Sequence, residues 1–127
     1  MTVRLAAGPQ AVVRALEAAQ AFAVAQKLAD PDRLAVVIEE WMANIVEHGR
    51  PRPDTRIVLR LEKLAGGAVR LSFSDAGVAF DPRTATDEGP NLERGGGAGI
   101  ALIRAWCEIE SYARRAGRNR LVLRSRS

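Results

Sequence analysis

The apolar residues of this chain change their period once, and that change decides which layers it can build. After a short strand-like opening at residues 2–7 ("TVRLAA"), apolar positions recur at helical spacing as far as about His48. From Ile57 they alternate instead: Ile57, Leu59 and Leu61 interleave with Val58, Arg60 and Glu62, and Val69, Leu71 and Phe73 with polar neighbours. Alternation of this kind marks half-buried strands, and the "AGG" between the two runs marks the turn of a β-hairpin. Residues 76 to 97, rich in Gly, Pro, Asp and Arg, show little periodicity. A compact domain does not usually contain a structureless stretch of that length unless it is functional. "GIALIRAWCE" then reads as a short helix, and "IESYARRAGRNRLVLRS" as two strands around a glycine-containing turn. The order β-α-α-β-β-loop-α-β-β, with strands grouped beside helices, predicts an α+β fold, a two-layer α/β sandwich.

The helical part divides into two. Pro9 suits a first turn, and Val12, Leu16, Ala19 and Ala23 share one stripe in a helix running to about Lys27. "ADPDR" interrupts it, with Asp30 as N-cap and Pro31 at the first position of a second helix. That helix runs to about His48, is expected to stop at Gly49, and leads into "RPRPD", which cannot be helical.

With 127 residues the chain is expected to form one domain, with a core that needs no metal or disulfide staple. Its one cysteine, Cys107, excludes an internal disulfide framework and a Cys-rich zinc site. No run of about 18 apolar residues and no apolar leader is visible, so a cytoplasmic protein away from membranes is expected. The net charge of +4 gathers towards the C-terminus, which suits either an anionic partner or, more commonly, a solvated basic hairpin. Neither a basic helix after a short turn nor an aromatic pair on a strand appears, so nucleic acid is not an expected partner.

In the second helix Glu40, Asn44 and His48 stand four apart and form one polar stripe beside the apolar flank of Leu34, Ile38, Met42 and Ile45. Such a stripe is ordinarily a solvated face. The chemical alternative is specific. An asparagine offers a neutral hard oxygen to Mg²⁺, and a carboxylate one turn earlier can take a proton from an attacking hydroxyl. Glu39 is expected in solvent, and His48 as a helix-terminal or packing residue.

Two glycine-bearing stretches follow. "FSDAGVAFDP" places Asp75 at a strand end, where its carboxylate can accept a hydrogen bond from an exocyclic amino group such as adenine N6. Gly77 would let a flat base approach the backbone. Phe80 reads as an anchor for the loop, and Asp81-Pro82 as a turn. "ERGGGAGIALIR" carries Gly95, Gly96, Gly97 and Gly99 ahead of a helix expected to begin near Gly99 or Ile100. Amides at such a terminus bind phosphate, although a flexible loop tip has the same composition. Neither a P-loop nor a Rossmann fingerprint is present.

Taken in order, E-x-x-x-N, D-x-G-x-x-F-D-P and G-G-x-G-I-x-L-I resemble the N, G1 and G2 boxes of the GHKL, or Bergerat-fold, ATP-binding superfamily. The form "NIVEHG … DAGVAFDP … GGAGIALIR" is most similar to the anti-sigma factor serine kinases of bacterial partner-switching systems. The similarity extends from the first strand to the last. It implies a Bergerat fold and a Mg-ATP-dependent protein-serine kinase. Asn44 would hold Mg²⁺ and Glu40 would be the general base. The nucleotide would be bound by Asn44, Asp75, Gly77, Phe80, Arg94, Gly95, Gly96, Gly97, Ala98, Gly99 and Ile100. Residues from about 83 to 96 would form the ATP lid, with Arg94 near the γ-phosphate and Arg83 a second choice. Implied partners are an anti-anti-sigma protein of STAS fold, phosphorylated on serine, and a sigma factor, with the kinase itself a homodimer. A nucleotide-gated binding module and a stand-alone ATPase are the competing functions. Two departures stand out. The family's last strand usually carries a threonine near the adenine, and here "LVLRSRS" offers only Ser125. Trp41 is bulkier than the small residue usual inside the N box, and is expected in the core.

Overall fold

A computed structural model describes residues 1–84 and 96–126. Strand β1 (Thr2–Ala6) leads into helix α1 (Gln10–Gln26) and helix α2 (Pro31–Asn44), whose last turn is continued by a π-helical turn, Ile45–Gly49. Strands β2 (Arg56–Lys63) and β3 (Val69–Asp75) form the hairpin, joined through a 3₁₀ turn at Ala65–Gly67. Helix α3 (Gly96–Trp106) and strands β4 (Cys107–Arg115) and β5 (Arg118–Ser125) complete the chain. The five strands are antiparallel neighbours in the order β1-β2-β3-β5-β4. The expected element order and α+β class therefore hold.

Alternation places Ile57, Leu59, Leu61, Leu71, Phe73 and Leu123 on one face of the sheet, each at most 1 % exposed. From the helices Ala15, Ile38 and Met42 join the same core cluster. Helix α1 buries Ala11, Ala15, Ala19, Phe22 and Ala23, so its inner stripe is rotated from the expected one, and Val12 and Leu16 are only partly buried. Small alanine side chains let the helix backbone approach its neighbours closely, so a stripe of alanines can bury more completely than larger residues beside it.

The start of α2 follows its local chemistry. Asp30 accepts a hydrogen bond from the Arg33 amide at 3.1 Å, and Pro31 occupies the first helical position. Its end departs from expectation. The helix widens to i→i+5 bonding, with the Arg50 amide reaching the Ile45 carbonyl at 3.1 Å, and Arg50 rather than a glycine takes the left-handed conformation at φ 46°. Single π turns of this type recur at functional sites.

The opposite sheet face carries no helix among the described residues. Alternation turns Arg4, Arg56, Arg60, Arg120 and Arg124 towards it, so the basic residues are spread over a sheet rather than confined to a terminal hairpin. Glutamates temper them: Arg70 pairs with Glu110 at 2.7 Å and Arg60 with Glu62 at 3.7 Å. Among the described residues no helix is long and apolar enough to cross a membrane.

Candidate functional site

The π turn carries Gly49 against the end of β3. There the Val78 amide donates to the Gly49 carbonyl at 2.9 Å, tying the loop after β3 to the end of the N-box helix. Gly77 sits in the angle. A Cβ placed on it would lie 2.6 Å from the Gly49 carbonyl oxygen, 2.8 Å from its carbon and 2.9 Å from Asp75 Oδ1. Two of those neighbours are backbone and cannot step aside, so only glycine fits. The requirement is close approach, not left-handed backbone.

Asp75 is 4 % exposed. Its Oδ1 accepts from the Gly77 amide at 2.8 Å and from Asn119 Nδ2 at 3.2 Å. Asn119, itself 6 % exposed, stands directly across from Asp75 in the β3–β5 register. Its amide orientation is fixed from both ends. Oδ1 accepts from the Tyr112 hydroxyl and from Arg114 Nη1 at 3.0 Å, while Nδ2 also donates to the Val78 carbonyl at 3.0 Å. Reversing the amide would set its oxygen against the Asp75 carboxylate and the Gly77 and Val78 carbonyls, which electrostatics forbids. Sequence reasoning missed Asn119, Tyr112 and Arg114. The signal that finds them is the strand pairing, which no local motif encodes.

Ser125, offered above in place of the family threonine, lies at the other end of β5, six residues or about 20 Å from Asn119. Its hydroxyl accepts from the Val69 amide at 2.8 Å, where β3 begins. It therefore serves the far end of the β3–β5 pair, and Asn119 holds the position beside Asp75.

Glu40, half-buried on α2, lies against the first turns of α3. A Cβ built on Gly99 would overlap the Glu40 carboxylate, with the Glu40 Cδ at 3.3 Å. The carboxylate thus rests on the bare Cα of Gly99. Glu39 is exposed as expected. Helix α3 begins at Gly96, not near Gly99, so Gly96, Gly97 and Gly99 form its first turn rather than a loop ahead of it. The unpaired amides of a helix start belong to its first four residues, here Gly96, Gly97, Ala98 and Gly99, so the phosphate-binding expectation, Gly97 and Gly99 included, falls on that turn. Ala98 lies in the same turn. Ile100, 6 % exposed, belongs to the core cluster, so its side chain is engaged in packing. Arg94, Gly95 and nearly all of the expected lid lie outside the described residues. Arg83 is committed locally: it pairs with Asp81 at 2.7 Å, lies over the Tyr112 ring, and holds the Asp81 carboxyl below its usual range.

Between α2 and the ends of β3 and β5 is a cavity lined by Trp41, Asn44, His48, Asp75, Phe80 and Asn119, among others. Two buried polar atoms have no hydrogen-bond partner among the described residues, Trp41 Nε1 and Asn44 Oδ1. Each such atom costs about 1–3 kcal/mol of lost hydration unless a ligand satisfies it. An orphaned amide oxygen is chemically suited to a hard cation. Among the described residues no cluster of three or more His, Cys, Asp or Glu forms a metal cage, so any Mg²⁺ would take most of its ligands from water and phosphate.

The sequence profile of the histidine kinase-like ATPase domain matches residues 5–125. The serine/threonine-protein kinase BtrW of Bordetella bronchiseptica is 36% identical over 101 residues, 74% of this chain and 69% of BtrW. Among solved structures, that of the SiaB–SiaC complex from Pseudomonas aeruginosa aligns at a TM-score of 0.64 and 15% identity, covering 98% of this chain and 88% of the other. The histidine kinase domain of the blue-light-activated kinase from Erythrobacter litoralis EL346 aligns at 0.54 and 16% identity, over 75% of this chain. The matched part is 43% of that kinase-domain chain, and both structural likenesses concern the fold alone.

Proposed function

The chain belongs to the histidine kinase-like ATPase domain family of the GHKL superfamily, in the branch of the anti-sigma factor serine kinases, and from that premise we propose that it transfers the γ-phosphoryl group of ATP to a serine of a partner protein. The observation that carries this reading is the packing of the Glu40 carboxylate on Gly99 at the start of α3. It sets a proton acceptor beside the helix terminus whose amides suit phosphate.

Asp75, held by Gly77 and Asn119, would accept the adenine amino group in its buried pocket. Asn44 Oδ1 would hold Mg²⁺, which when bound neutralises charge on the phosphates. The partner's serine oxygen attacks the γ-phosphorus, the bond to the β,γ-bridging oxygen breaks, and ADP leaves. Glu40 takes the serine proton. Little covalent work falls to the protein, which positions the reactants and excludes water.

The name of BtrW supports serine or threonine as the acceptor class, and SiaB–SiaC, a complex, supports a protein partner. An anti-anti-sigma protein of STAS fold is the proposed substrate and a sigma factor the proposed second partner, met by a homodimer in the cytoplasm.

The test uses γ-labelled ATP, Mg²⁺ and a lysate of the source cells, with wild type beside Glu40→Gln after both are shown to bind ATP. A small labelled protein with wild type alone is the expected result. ATP binding with no labelled band would replace the kinase by a nucleotide-gated binding module.

A further inference from the structure

The cavity beside Asp75 is small. It retains about 20 Å³, room for about one water, whereas pockets for small ligands span about 300–1,000 Å³. Its wall includes an aromatic pair. Trp41 and Phe80 stack with ring centroids 5.9 Å apart and planes inclined by 22°. The two residues are held differently. Trp41 is 4 % exposed and fixed on α2 between Ile38, Met42 and Ile45, all of them core residues. Phe80 is half-buried, lies outside any helix or strand, and is tethered by its amide to the Tyr112 hydroxyl at 3.3 Å. The indole Nε1 of Trp41 is the second buried polar atom without a hydrogen-bond partner among the described residues. A buried donor in the wall of a cavity that the Asp75 carboxylate also lines is suited to an acceptor.

Resting on the ATP reading above, we propose that Trp41 and Phe80 form an aromatic plug in the base pocket, that the nucleotide displaces Phe80, and that the Trp41 indole N–H then donates to a ring nitrogen of the adenine. Asp75 and Trp41 thereby read opposite polarities of one base: the carboxylate accepts from its amino group and the indole donates to its ring. Phe80 moves because it is half-buried on a segment outside any helix or strand, and Trp41 stays because it is nearly fully buried on α2. Trp41 is a specificity-determining residue, and the stack exchanges an aromatic neighbour for a purine at modest cost in contact area.

The experiment uses ¹⁵N-labelled protein carrying Trp106→Phe. Trp106 packs under Arg33 outside this cavity, so the substitution leaves Trp41 as the one indole signal. Calorimetry first establishes MgATP binding. If none occurs, the ATP reading fails, and the plug proposal with it. If MgATP binds, saturation is expected to move the indole proton resonance downfield and slow its exchange with solvent. Trp41→Phe, which keeps the ring and loses the donor, is expected to bind about three- to tenfold more weakly, the worth of one neutral hydrogen bond. Among 1-, 3- and 7-deaza-ATP, one analogue should show the same loss with wild type and no further loss with Trp41→Phe. Phe80→Ala should speed association. An unmoved indole resonance in protein that binds MgATP overturns the proposal while leaving ATP binding intact. Wild-type affinity in Trp41→Phe does the same. If Trp41→Phe does not fold, the resonance of the Trp41-containing protein decides alone.

Discussion

Gly77 and Gly99 are both defined by what a methyl group would strike, and the two collisions have different consequences. At Gly77 the obstacle is the backbone of Gly49, so Gly77→Ala must separate the π turn from the end of β3. Overpacking of this kind costs about 1–3 kcal/mol. The variant is expected to melt several degrees lower and to lose nucleotide affinity, as checked by thermal unfolding and calorimetry. At Gly99 the obstacle is the end of a flexible side chain, the Glu40 carboxylate. A methyl group there also favours the helix by about 0.5–1 kcal/mol. Gly99→Ala is therefore expected to keep its stability within about 1 kcal/mol while phosphoryl transfer falls at least about tenfold, as a positioned base contributes more than that. Equal transfer by Gly99→Ala and wild type would remove Glu40 from the chemistry. Cys107 gives a third prediction. Burial raises its thiol to about 11, partly offset by Arg126, so at about pH 8 it stays protonated, below the thiolate range that drives alkylation. Thiol-reactive probes should label the native protein slowly and the unfolded chain rapidly.

Among the elements, α2 does the most positioning. It carries Glu40, Trp41 and Asn44, and its π turn delivers Gly49 to the Asp75 corner. A one-residue slip in its start would rotate all three side chains by about 100°. The Asp30 side chain and Pro31 fix that start. Asp30→Ala is expected to cost about 1 kcal/mol, read as a lower midpoint in denaturant unfolding with unchanged slope. The π turn was invisible in the sequence, where Gly49 looked like an ordinary stop. Its extra residue per turn is selected by contacts with the loop after β3, which lies about 30 residues further along.

In the whole molecule, sheet and helices share one core cluster that reaches from Leu5 to Leu123. Phe73, 1 % exposed on the central strand, touches this cluster from the sheet side. Phe73→Ala is expected to cost about 3–5 kcal/mol. Far-UV circular dichroism and tryptophan emission should move to lower denaturant together, because among the described residues helices and sheet share this one core cluster. Periodicity was enough for the architecture, since helical spacing and strict alternation are local properties that survive into the fold. The inner stripe of α1 was displaced because packing selected the alanines over the larger Val12 and Leu16. Glu40, Asn44, Asp75 and Gly77 were legible because residue type and short spacing place their chemistry on one helix and at one strand end. By sequence alone the chain determined its element order, its α+β layers and those four candidates, all products of local spacing. Only the tertiary structure decided that Asn119, not Ser125, stands beside Asp75, that Trp41 stacks on Phe80 in the same pocket, and that Glu40 rests on Gly99. Strand register and helix docking unite residues far apart in the chain, and they are fixed by burying a shared core rather than by any neighbouring residue.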